Sequence, residues 1–320
     1  MIDPEFWTGR TVIVTGGTGF LGSQVVALLQ PLATVHVASR RLGVDLSVWE
    51  ECRRYFDEHP ADFVINCAAL QGGLRFNELV PGEIYLKNLL MGAYAMEAAR
   101  LSEVRKYVNI VAGCSYPGYA EGDLTEGGYW EGPLHDSVVN YGITKKVQTV
   151  QGWSYKRQYN FDSVHLVMTN LYGPGDHFEP ERSHALGALV RKFVDAVEDG
   201  ATEVEVWGSG RPMREWLYVT DAAEAIIRAA ERVNEVAPLN IGTGIGHSIR
   251  ELAEKIASIV RFPGSIVYNA DRPDGALRKV FDVRRMRQML EWEPRTSLAD
   301  GIQRTVEYYR QNVRPSLIAS

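Results

Sequence analysis

Residues 11–22, TVIVTGGTGFLG, form the stretch that decides the fold of this chain. The apolar, β-branched run that opens it predicts a strand, and the apolar spacing from Phe20 onwards predicts a buried helix. Between them, Gly16, Gly19 and Gly22 permit a tight turn, a close approach of the backbone to a pyrophosphate, and close packing of helix on strand. The free N–H groups of the helix N-terminus then face the anion. The stretch therefore predicts dinucleotide binding, rather than an ordinary glycine-rich turn.

The bulk composition narrows the class of protein. Of the 320 residues, 45% are hydrophobic and 23% are charged, as is usual for a globular protein. The formal net charge of −6 does not favour binding to nucleic acid or to an acidic membrane surface. Local basic residues must therefore bind any phosphate. No apolar run approaches the ~20 residues that a bilayer span needs, and the first residues lack a signal-peptide pattern. We expect a cytoplasmic protein.

The cysteine content argues against a metal or disulfide framework. Cys52, Cys67 and Cys114 are odd in number and lack the spacing of metal ligands. We therefore expect reduced thiols and no metal site.

The end of the predicted second strand, residues 34–38, indicates the type of dinucleotide. An acidic residue at this point would bind the adenosine ribose 2′-hydroxyl of NAD, whereas basic residues accommodate the 2′-phosphate of NADP. Arg40 and Arg41 therefore favour NADP, with a solvated basic loop as the alternative. Asp45 and Leu46 follow at the place where the chain would pass the adenine.

Strands and helices alternate through the first half of the chain. Residues 62–69 form a nearly all-apolar third strand, which is typical of a parallel sheet covered on both faces. A long helix over 81–100 leads to a fourth strand over 106–111. The alternation predicts an α/β fold with a doubly wound, Rossmann-type parallel sheet and a smaller α/β carboxyl-terminal substrate lobe. The predicted cofactor domain comprises residues 1–172 and 216–240, and the predicted substrate lobe comprises 173–215 and 241–320.

Tyr141 and Lys145 lie four residues apart on the helix predicted after the fourth strand. Because four residues make about one helical turn, the phenol and the ammonium share a face. A lysine cation beside a tyrosine favours the phenolate, so we expect the phenol pKa, ordinarily ~10, to fall towards the range of proton exchange with a substrate oxygen. By chance, the same spacing more often describes a surface tyrosine stacked on a lysine stem. Within a dinucleotide fold it predicts a catalytic pair.

Four later segments resemble a known family. They are NLYGP at 170–174, Ser183-His184, VWGSGRPMRE at 206–215 and RPDGALRK at 272–279. With the glycine turn and Tyr141, they resemble the GDP-L-fucose synthase family of the extended short-chain dehydrogenase/reductase superfamily, along nearly the whole chain. The resemblance implies a GDP-4-keto-6-deoxy-mannose substrate that is epimerised at C3 and C5 and then reduced at C4 by NADPH. It also implies a homodimer formed through two long helices, within residues 81–100 and 138–159.

The resemblance further implies roles for individual residues. Epimerisation beside a ketone needs one group to remove a proton and another to deliver one from the opposite face, and the family's cysteine and histidine match Cys114 and His184. Tyr141 would protonate the C4 oxygen while Lys145 holds the nicotinamide ribose. Taken singly, Cys114 would be a small buried hydrophobe and His184 a helix-start residue bonded to backbone. The cofactor set is Gly16, Thr18, Gly19, Phe20, Leu21, Gly22, Arg40, Arg41, Asp45, Leu46, Ala68, Lys145 and Asn170, and the substrate set is Asn170, Lys192, Trp207, Arg214, Asp274 and Lys279.

One position departs from the family's pattern. Short-chain reductases carry a serine or threonine four residues before the tyrosine of the loop that follows the fourth strand. In this chain that tyrosine is Tyr116, and the residue four positions before it is Ala112. The loss of one such hydrogen-bond donor typically costs ~10²- to 10³-fold in rate. Ser115 lies nearby, but successive residues of an extended loop point in different directions. Three alternatives stay open: an epimerase with weak or no reductase activity, an enzyme for another GDP-4-keto sugar such as a 6-deoxyheptose, and a non-catalytic NADP-binding sensor.

Overall fold

The computed structural model describes residues 1–272 and 274–318. The strands in chain order are β1 (Thr11–Thr15), β2 (Thr34–Ala38), β3 (Phe63–Asn66), β4 (Lys106–Ala112), β5 (Ser163–Met168), β6 (Asn170–Tyr172), β7 (Glu203–Trp207), β8 (Met213–Tyr218), β9 (Leu239–Ile241), β10 (Gly246–Ser248), β11 (Ser265–Asn269) and β12 (Arg278–Lys279). The helices are α1 (Pro4–Trp7), α2 (Phe20–Leu29), α3 (Trp49–Glu58), α4 (Leu74–Leu79), α5 (Pro81–Leu101), α6 (Val139–Tyr159), α7 (Ala185–Glu198), α8 (Val219–Arg232), α9 (Ile249–Val260), α10 (Arg284–Leu290), α11 (Leu298–Tyr308) and α12 (Arg314–Ile318).

A six-stranded parallel sheet forms the larger part of the molecule, in the order β2-β1-β3-β4-β5-β9. Side chains of β1 alternate between its two faces, as the pleat requires. Val12 and Val14 join the hydrophobic cluster that contains residues of α2 and α8. Ile13 joins the cluster that contains residues of α3 and α5. Helices therefore cover both faces, which confirms the predicted doubly wound, Rossmann-type architecture.

A second group of strands lies in the carboxyl half of the chain. β8 runs at its centre, with β10 antiparallel on one side, β12 parallel on the other, and β6 pairing with a further stretch of β8. β7 and β11 make a separate parallel pair. Residues of α7, α9 and α11 form a second hydrophobic cluster with these strands. The division at residues 172, 215 and 240 stays a prediction, and Pro273 and residues 319–320 of the predicted substrate lobe lie outside the described residues.

The three cysteines are free thiols in separate places. Cys52 is fully buried in the core beneath α3 and α5, whereas Cys67 and Cys114 are half-buried just after β3 and β4. Carboxyl ends of parallel strands are where open α/β sheets bind ligands, so the second and third thiols lie near that edge. Within the described ranges, no helix combines the length and apolarity that a membrane crossing requires.

Candidate active site

The glycine turn has the shape that a pyrophosphate needs. Gly16 has a positive φ of +65°, and its N–H donates to the carbonyl of Ala38 at 2.7 Å. A Cβ added at Gly16 would lie 2.8 Å from the Ala68 Cα, and one at Gly22 would overlap the Gly16 carbonyl. Helix α2 begins directly after Gly19, which provides no side-chain cap to the first-turn N–H groups. These groups are therefore free to bind an anion.

A pocket adjoins this turn at the place where the sequence predicts the adenosine half of a dinucleotide. Five residues of the predicted cofactor set line it together: Gly16, Arg40, Asp45, Leu46 and Ala68. The remaining residues of the turn lie beside it. Phe20 and Leu21 form the first turn of α2, and the Thr18 carbonyl accepts a hydrogen bond from Arg41 Nη1 at 3.3 Å. Arg40 thus faces the pocket, while Arg41 reaches back to the glycine turn.

Asp45 is held in place by its neighbours at the far end of this pocket. Its carboxylate accepts from the Ser47 N–H at 2.9 Å and from the Ser47 hydroxyl at 2.6 Å. The Lys87 ammonium lies 3.6 Å from the same carboxylate. Burial opposes ionisation of Asp45, but the hydrogen bonds from Ser47 and the positive charges of Lys87 and Arg40 outweigh it, so its pKa is lowered. An ionised carboxylate is suited to accept hydrogen bonds from the adenine amino group.

The sequence interpretation missed Lys87 in this pocket. Lys87 and Met91 both line it and lie one helical turn apart on α5. Residues at i and i+4 of a helix share a face, so this spacing was the available signal. It became informative only once α5 was known to pass the carboxyl edge of the sheet.

Cys114, Tyr141 and Lys145 meet beyond the carboxyl end of β4. Cys114 lies in a short 3₁₀ helix, Gly113–Ser115, and the start of α6 packs so closely on it that a Cβ at Gly142 would overlap the Cys114 carbonyl. Lys145 Nζ lies 5.9 Å from the centroid of the Tyr141 ring. Electrostatic coupling links the Cys114 thiol to both the phenol and the ammonium. The predicted pair on α6 and the predicted thiol therefore share one site.

The expected fall in the Tyr141 pKa does not occur in this structure. Burial raises the pKa of the phenol well above its ordinary value, and the nearby Cys114 thiol raises it further. Lys145 Nζ lies over the Tyr141 ring, 5.9 Å from its centroid, and does not offset burial, which disfavours the phenolate charge directly. The phenol therefore keeps its proton at neutral pH and is equipped to donate it.

Two lysines affect the pKa of the Cys114 thiol, Lys145 from α6 and Lys279 from β12. Burial raises the pKa of the thiol, while Lys279 and, more weakly, Lys145 lower it. Burial in turn lowers the pKa of Lys145 to about 8, and the thiols of Cys114 and Cys67 act against that shift. The thiol thus carries its proton at neutral pH beside two cations that favour its ionisation.

His184 caps the start of α7 at the junction of the two lobes. It occupies the N-cap position, and its side chain makes no capping hydrogen bond to the described residues of that helix. Burial lowers the imidazole pKa to about 4, and the nearby His177 contributes. The imidazole is therefore neutral and can accept a proton. His177, which the sequence interpretation missed, follows the predicted NLYGP segment.

Contacts between loops of the two lobes fix the segment that carries His184. The Gly73 N–H donates to the Arg182 carbonyl at 2.9 Å, and a Cβ at Gly73 would overlap the Ser183 carbonyl. The electrostatic links that join Cys114 to Tyr141 and the lysines do not extend to His184 among the described residues. The structure thus assembles the thiol and the phenol, and leaves the convergence of His184 with them a prediction.

Neither Ala112 nor the nearby Ser115 supplies the hydroxyl that short-chain reductases carry at position 112. Ala112 is the last residue of β4, half-buried and paired with Met168. Ser115 is fully buried, and its hydroxyl donates to the Gly142 carbonyl at 3.0 Å. Ser115 therefore supports the packing of α6 and does not replace the missing donor.

The predicted substrate residues bring positive charge to the small sheet. Lys279 lies opposite Arg214 in the pairing of β12 with β8. Burial lowers the pKa of both side chains, and Asp274 acts in the opposite direction on Arg214. Two half-buried cations in an acidic chain suit a diphosphate, which would replace the water that they lose.

The remaining substrate residues form a second group around an exposed aromatic ring. Trp207 is 50% exposed, with Lys192 Nζ 5.3 Å and the Arg272 guanidinium 4.9 Å from its ring centroid. Lys192 also donates to the Glu205 carbonyl at 2.8 Å. The Asp274 carboxylate accepts from the Ser209 N–H and hydroxyl, each at 2.7 Å, which fixes its position.

Asn170 joins the two sheets. Its side-chain N–H donates to the Glu215 carbonyl at 3.0 Å, so the residue is held at the start of β6 where the chain passes from the large sheet to the small one. This position agrees with its double membership of the cofactor and substrate sets, which stays a prediction.

Comparison with known proteins places this site in a recognised group. Residues 12–242 match the NAD dependent epimerase/dehydratase family. The chain is 34% identical to the probable GDP-L-fucose synthase 1 of Oryza sativa subsp. japonica over 307 residues, which cover 95% of this chain and 93% of the rice protein.

Two solved structures extend the comparison. The GDP-6-OMe-4-keto-L-xylo-heptose reductase from C. jejuni superposes with a TM-score of 0.88 at 26% identity, covering 94% of this chain and 97% of that one. The GDP-L-fucose synthetase from Naegleria fowleri bound to NADP superposes with a TM-score of 0.86 at 26% identity, covering 96% and 94%. Both similarities span the two sheets and the site between them.

Proposed function

Since this chain belongs to the NAD dependent epimerase/dehydratase family, and within it to the GDP-L-fucose synthases, we propose that it converts a GDP-4-keto-6-deoxy-mannose-type sugar by 3,5-epimerisation and NADPH-dependent 4-reduction. It is an oxidoreductase of GDP-sugars that uses NADP(H). The observation that carries the finer proposal is the Cys114 thiol, which is coupled electrostatically to the Tyr141 phenol and whose pKa is lowered by the charges of Lys279 and Lys145.

Binding of the sugar nucleotide is assigned to the small sheet and its loops. Arg214 and Lys279 neutralise the diphosphate, and Lys192 adds a further positive charge beside Trp207. The indole face of Trp207 is available to an apolar or aromatic surface of the ligand. The Asp274 carboxylate is oriented by Ser209 and can accept from N–H groups of guanine.

Epimerisation uses groups in opposite protonation states. The ketone at C4 acidifies the neighbouring C–H bonds, so a base on one face removes a proton to give an enolate, and an acid on the other face returns one to carbon. At neutral pH the His184 imidazole is neutral and the Cys114 thiol is protonated, which supplies one acceptor and one donor. The cations of Lys145 and Lys279 stabilise negative charge on the sulfur once its proton has left.

Reduction of the ketone draws on the same site. NADPH, held by the glycine turn and the adenosine pocket, supplies the hydride to C4. The Tyr141 phenol donates its proton to the C4 oxygen: its raised pKa keeps it protonated at neutral pH, and the alkoxide that forms at C4 is the stronger base. Lys145 binds the nicotinamide ribose and supplies a positive charge on the side of the site that carries the Tyr141 phenol.

The two half-reactions can be measured separately. The ketosugar is incubated with the protein in heavy water, first without NADPH and then with it. The proposed function predicts deuterium at C3 and C5 in the first incubation and NADPH oxidation with a reduced product in the second. Exchange without oxidation leaves an epimerase, and NADPH binding with no affinity for any GDP-sugar leaves a sensor. Either outcome contradicts the bifunctional proposal.

A related GDP-4-keto sugar is the second candidate substrate. The resemblance of the chain to a reductase that acts on a GDP-4-keto-heptose supports it, as does Ala112 in place of the expected serine. Comparison of kcat/KM for a 6-deoxyhexose and a 6-deoxyheptose substrate separates the two possibilities.

Ala112→Ser is expected to accelerate C4 reduction. The serine hydroxyl would restore a donor to the developing alkoxide, and such a donor is worth ~10²- to 10³-fold in rate. NADPH oxidation by the variant and by wild type is compared under single-turnover conditions. Ala201→Ser, at an exposed turn before β7, is the matched control and should leave the rate unchanged. An unchanged rate in Ala112→Ser would mean that the site already polarises the ketone by other means.

Arg40→Ala is expected to raise KM for NADPH by ~10- to 100-fold while changing KM for NADH little. The guanidinium faces the adenosine pocket, where a charge-assisted hydrogen bond to the 2′-phosphate is worth about 1.5–3 kcal/mol. Steady-state kinetics with both cofactors measures the ratio. Arg54→Ala, an exposed change on α3, serves as control. Equal losses for the two cofactors would contradict a 2′-phosphate role.

We also propose a homodimer that forms through the α5/α6 face. This face is defined by the exposed residues Tyr85, Leu86, Val147, Val150 and Trp153. These side chains are between 36% and 52% exposed although all are apolar or aromatic. The two helices are locked side by side, because Gln151 of α6 donates to the Ala93 carbonyl of α5 at 3.0 Å. Exposed apolar side chains on two adjacent helices are typical of an interface.

Trp153→Glu is expected to convert that dimer into a monomer. A carboxylate at the centre of an apolar interface loses its water without gaining a partner. Light scattering after size-exclusion chromatography measures the mass. Ile245→Glu, an equally exposed apolar residue away from both helices, should leave the mass unchanged. A wild-type protein that is already monomeric would refute the dimer.

A further inference from the structure

Glu215 is a completely buried carboxylate at the centre of the small sheet. It lies on β8 next to Arg214 and has no exposed surface. Its carboxylate forms no ion pair with any residue in the described ranges. An unpaired buried charge is costly unless hydrogen bonds compensate it, so its partners define what it does.

Backbone N–H groups of two separate segments compensate this charge. Oε1 accepts from the N–H groups of Thr243 and Gly244, the latter at 2.9 Å, and Oε2 accepts from the N–H of Phe281 at 2.7 Å. Burial raises the pKa of Glu215, and these hydrogen bonds act against that shift. The two oxygens thus connect the loop after β9 to the segment after β12.

The main-chain carbonyl of the same residue connects a third segment. It accepts from the Thr169 hydroxyl at 3.2 Å and from the Asn170 side chain at 3.0 Å. Glu215 therefore joins the crossing point between the two sheets, the loop after β9 and the segment after β12.

The segment after β12 leads from Glu215 to the catalytic thiol. Phe281, whose N–H the carboxylate holds, places its ring 3.1 Å from the position of a Cβ on Gly113, the residue before Cys114. Lys279 lies two residues before Phe281, and its charge has the largest effect of those that lower the pKa of the thiol. Leu124 holds the segment from its other side through backbone bonds to Val280 and Asp282.

We propose that Glu215 is a positioning residue for epimerisation, whose carboxylate fixes residues 279–281 so that the Lys279 ammonium faces the Cys114 thiol. The assignment to epimerisation rests on the proposed function, whereas the positioning itself does not. The ionisable groups that face the thiol are Lys279 from β12, Lys145 and Tyr141 from α6, and Tyr129 from the loop before α6. Of these, only Lys279 depends on the segment that Glu215 holds.

The test replaces the carboxylate by its near-isosteric amide in Glu215→Gln. The amide NH₂ group donates and cannot accept a hydrogen bond. The N–H groups that it faces, either those of Thr243 and Gly244 or that of Phe281, therefore lose their acceptor. Alkylation of Cys114 by iodoacetamide is followed from pH 6 to pH 10, with the modified peptide quantified by mass spectrometry to exclude Cys52 and Cys67. Because the thiolate reacts and the thiol does not, loss of the Lys279 field should slow alkylation at pH 8 about tenfold and move the profile to higher pH.

Two companion variants identify the route of the effect. Lys279→Met should move the profile in the same direction, and the double variant should move it no further than Lys279→Met alone, because both changes remove one interaction. Glu203→Gln, an exposed glutamate at the start of β7, is the matched control and should leave the profile unchanged.

The results separate positioning from bulk stability. An alkylation profile of Glu215→Gln that coincides with wild type overturns the proposal, even where its melting temperature falls. If Glu215→Gln does not fold, Glu215→Asp keeps the charge and shortens the side chain by one methylene, which draws the carboxylate away from the Phe281 N–H; an unshifted profile there overturns the proposal as well. Because alkylation needs no sugar, a shifted profile in a protein without epimerase activity would leave the positioning intact and contradict the proposed function alone.

Discussion

Tyr141→Phe is expected to reduce the rate of NADPH oxidation by ~10²- to 10⁴-fold, the range that one general acid contributes. The substitution removes only the hydroxyl, so the ring keeps its packing against Cys114 and Lys145. Reduction needs a proton at the C4 oxygen as the alcohol forms, and the phenol is the protonated group assigned to supply it. The enolate steps at C3 and C5 are assigned by the proposal to His184 and Cys114, so deuterium exchange at those carbons should persist.

The experiment measures both activities on one preparation. Single-turnover NADPH oxidation reports reduction, and deuterium incorporation without NADPH reports epimerisation. Tyr159→Phe makes the same chemical change at the far end of the same helix and should leave both rates at the wild-type level. Wild-type reduction in Tyr141→Phe would remove the residue from the role, and equal loss of both activities would indicate damage to the site as a whole.

Cys114→Ala is expected to reduce deuterium exchange at C3 and C5 by ~10²- to 10⁴-fold, again the contribution of one acid–base group. The thiol is the proposed proton donor in the resting site, and the charges of Lys279 and Lys145 both favour its ionisation. Reduction of the unepimerised ketone relies on Tyr141 and Lys145. Slow NADPH oxidation should therefore remain, with a product that keeps the starting configuration at C3 and C5.

Cys52→Ala provides the control for this substitution. It removes the same sulfur from a fully buried position in the core beneath α3 and α5, far from the site. The loss of exchange should therefore be specific to Cys114, and thermal unfolding of both variants checks that neither has lost its fold. Exchange at the wild-type rate in Cys114→Ala would assign proton transfer to another group.

One correction to the sequence interpretation, the direction of the Tyr141 pKa shift, is caused by burial. The spacing of Tyr141 and Lys145 correctly placed phenol and ammonium at one site, but the direction of the phenol pKa depended on how much water the fold excludes. The sequence left open whether Ser115 could replace the missing donor at Ala112. Its hydroxyl is committed to the Gly142 carbonyl, a residue distant in sequence.

Other residues escaped the sequence interpretation because their partners come from remote segments. Lys87 reaches the adenosine pocket from α5, and Glu215 gathers backbone groups from the segments that contain Thr243 and Phe281. Neither belongs to a short motif with a mechanism of its own. Their roles exist only where the chain folds back on itself.

The sequence by itself determined the glycine turn between β1 and α2, the parallel sheet and the resemblance to GDP-L-fucose synthases, because strand, turn and helix preferences act between near neighbours. Only the tertiary structure decided the charges at the site. It brought Lys279 and Lys145 within electrostatic reach of Cys114, and it raised the Tyr141 pKa and lowered that of His184. Desolvation and charge proximity are properties of distance in space, and spacing along the chain does not fix them.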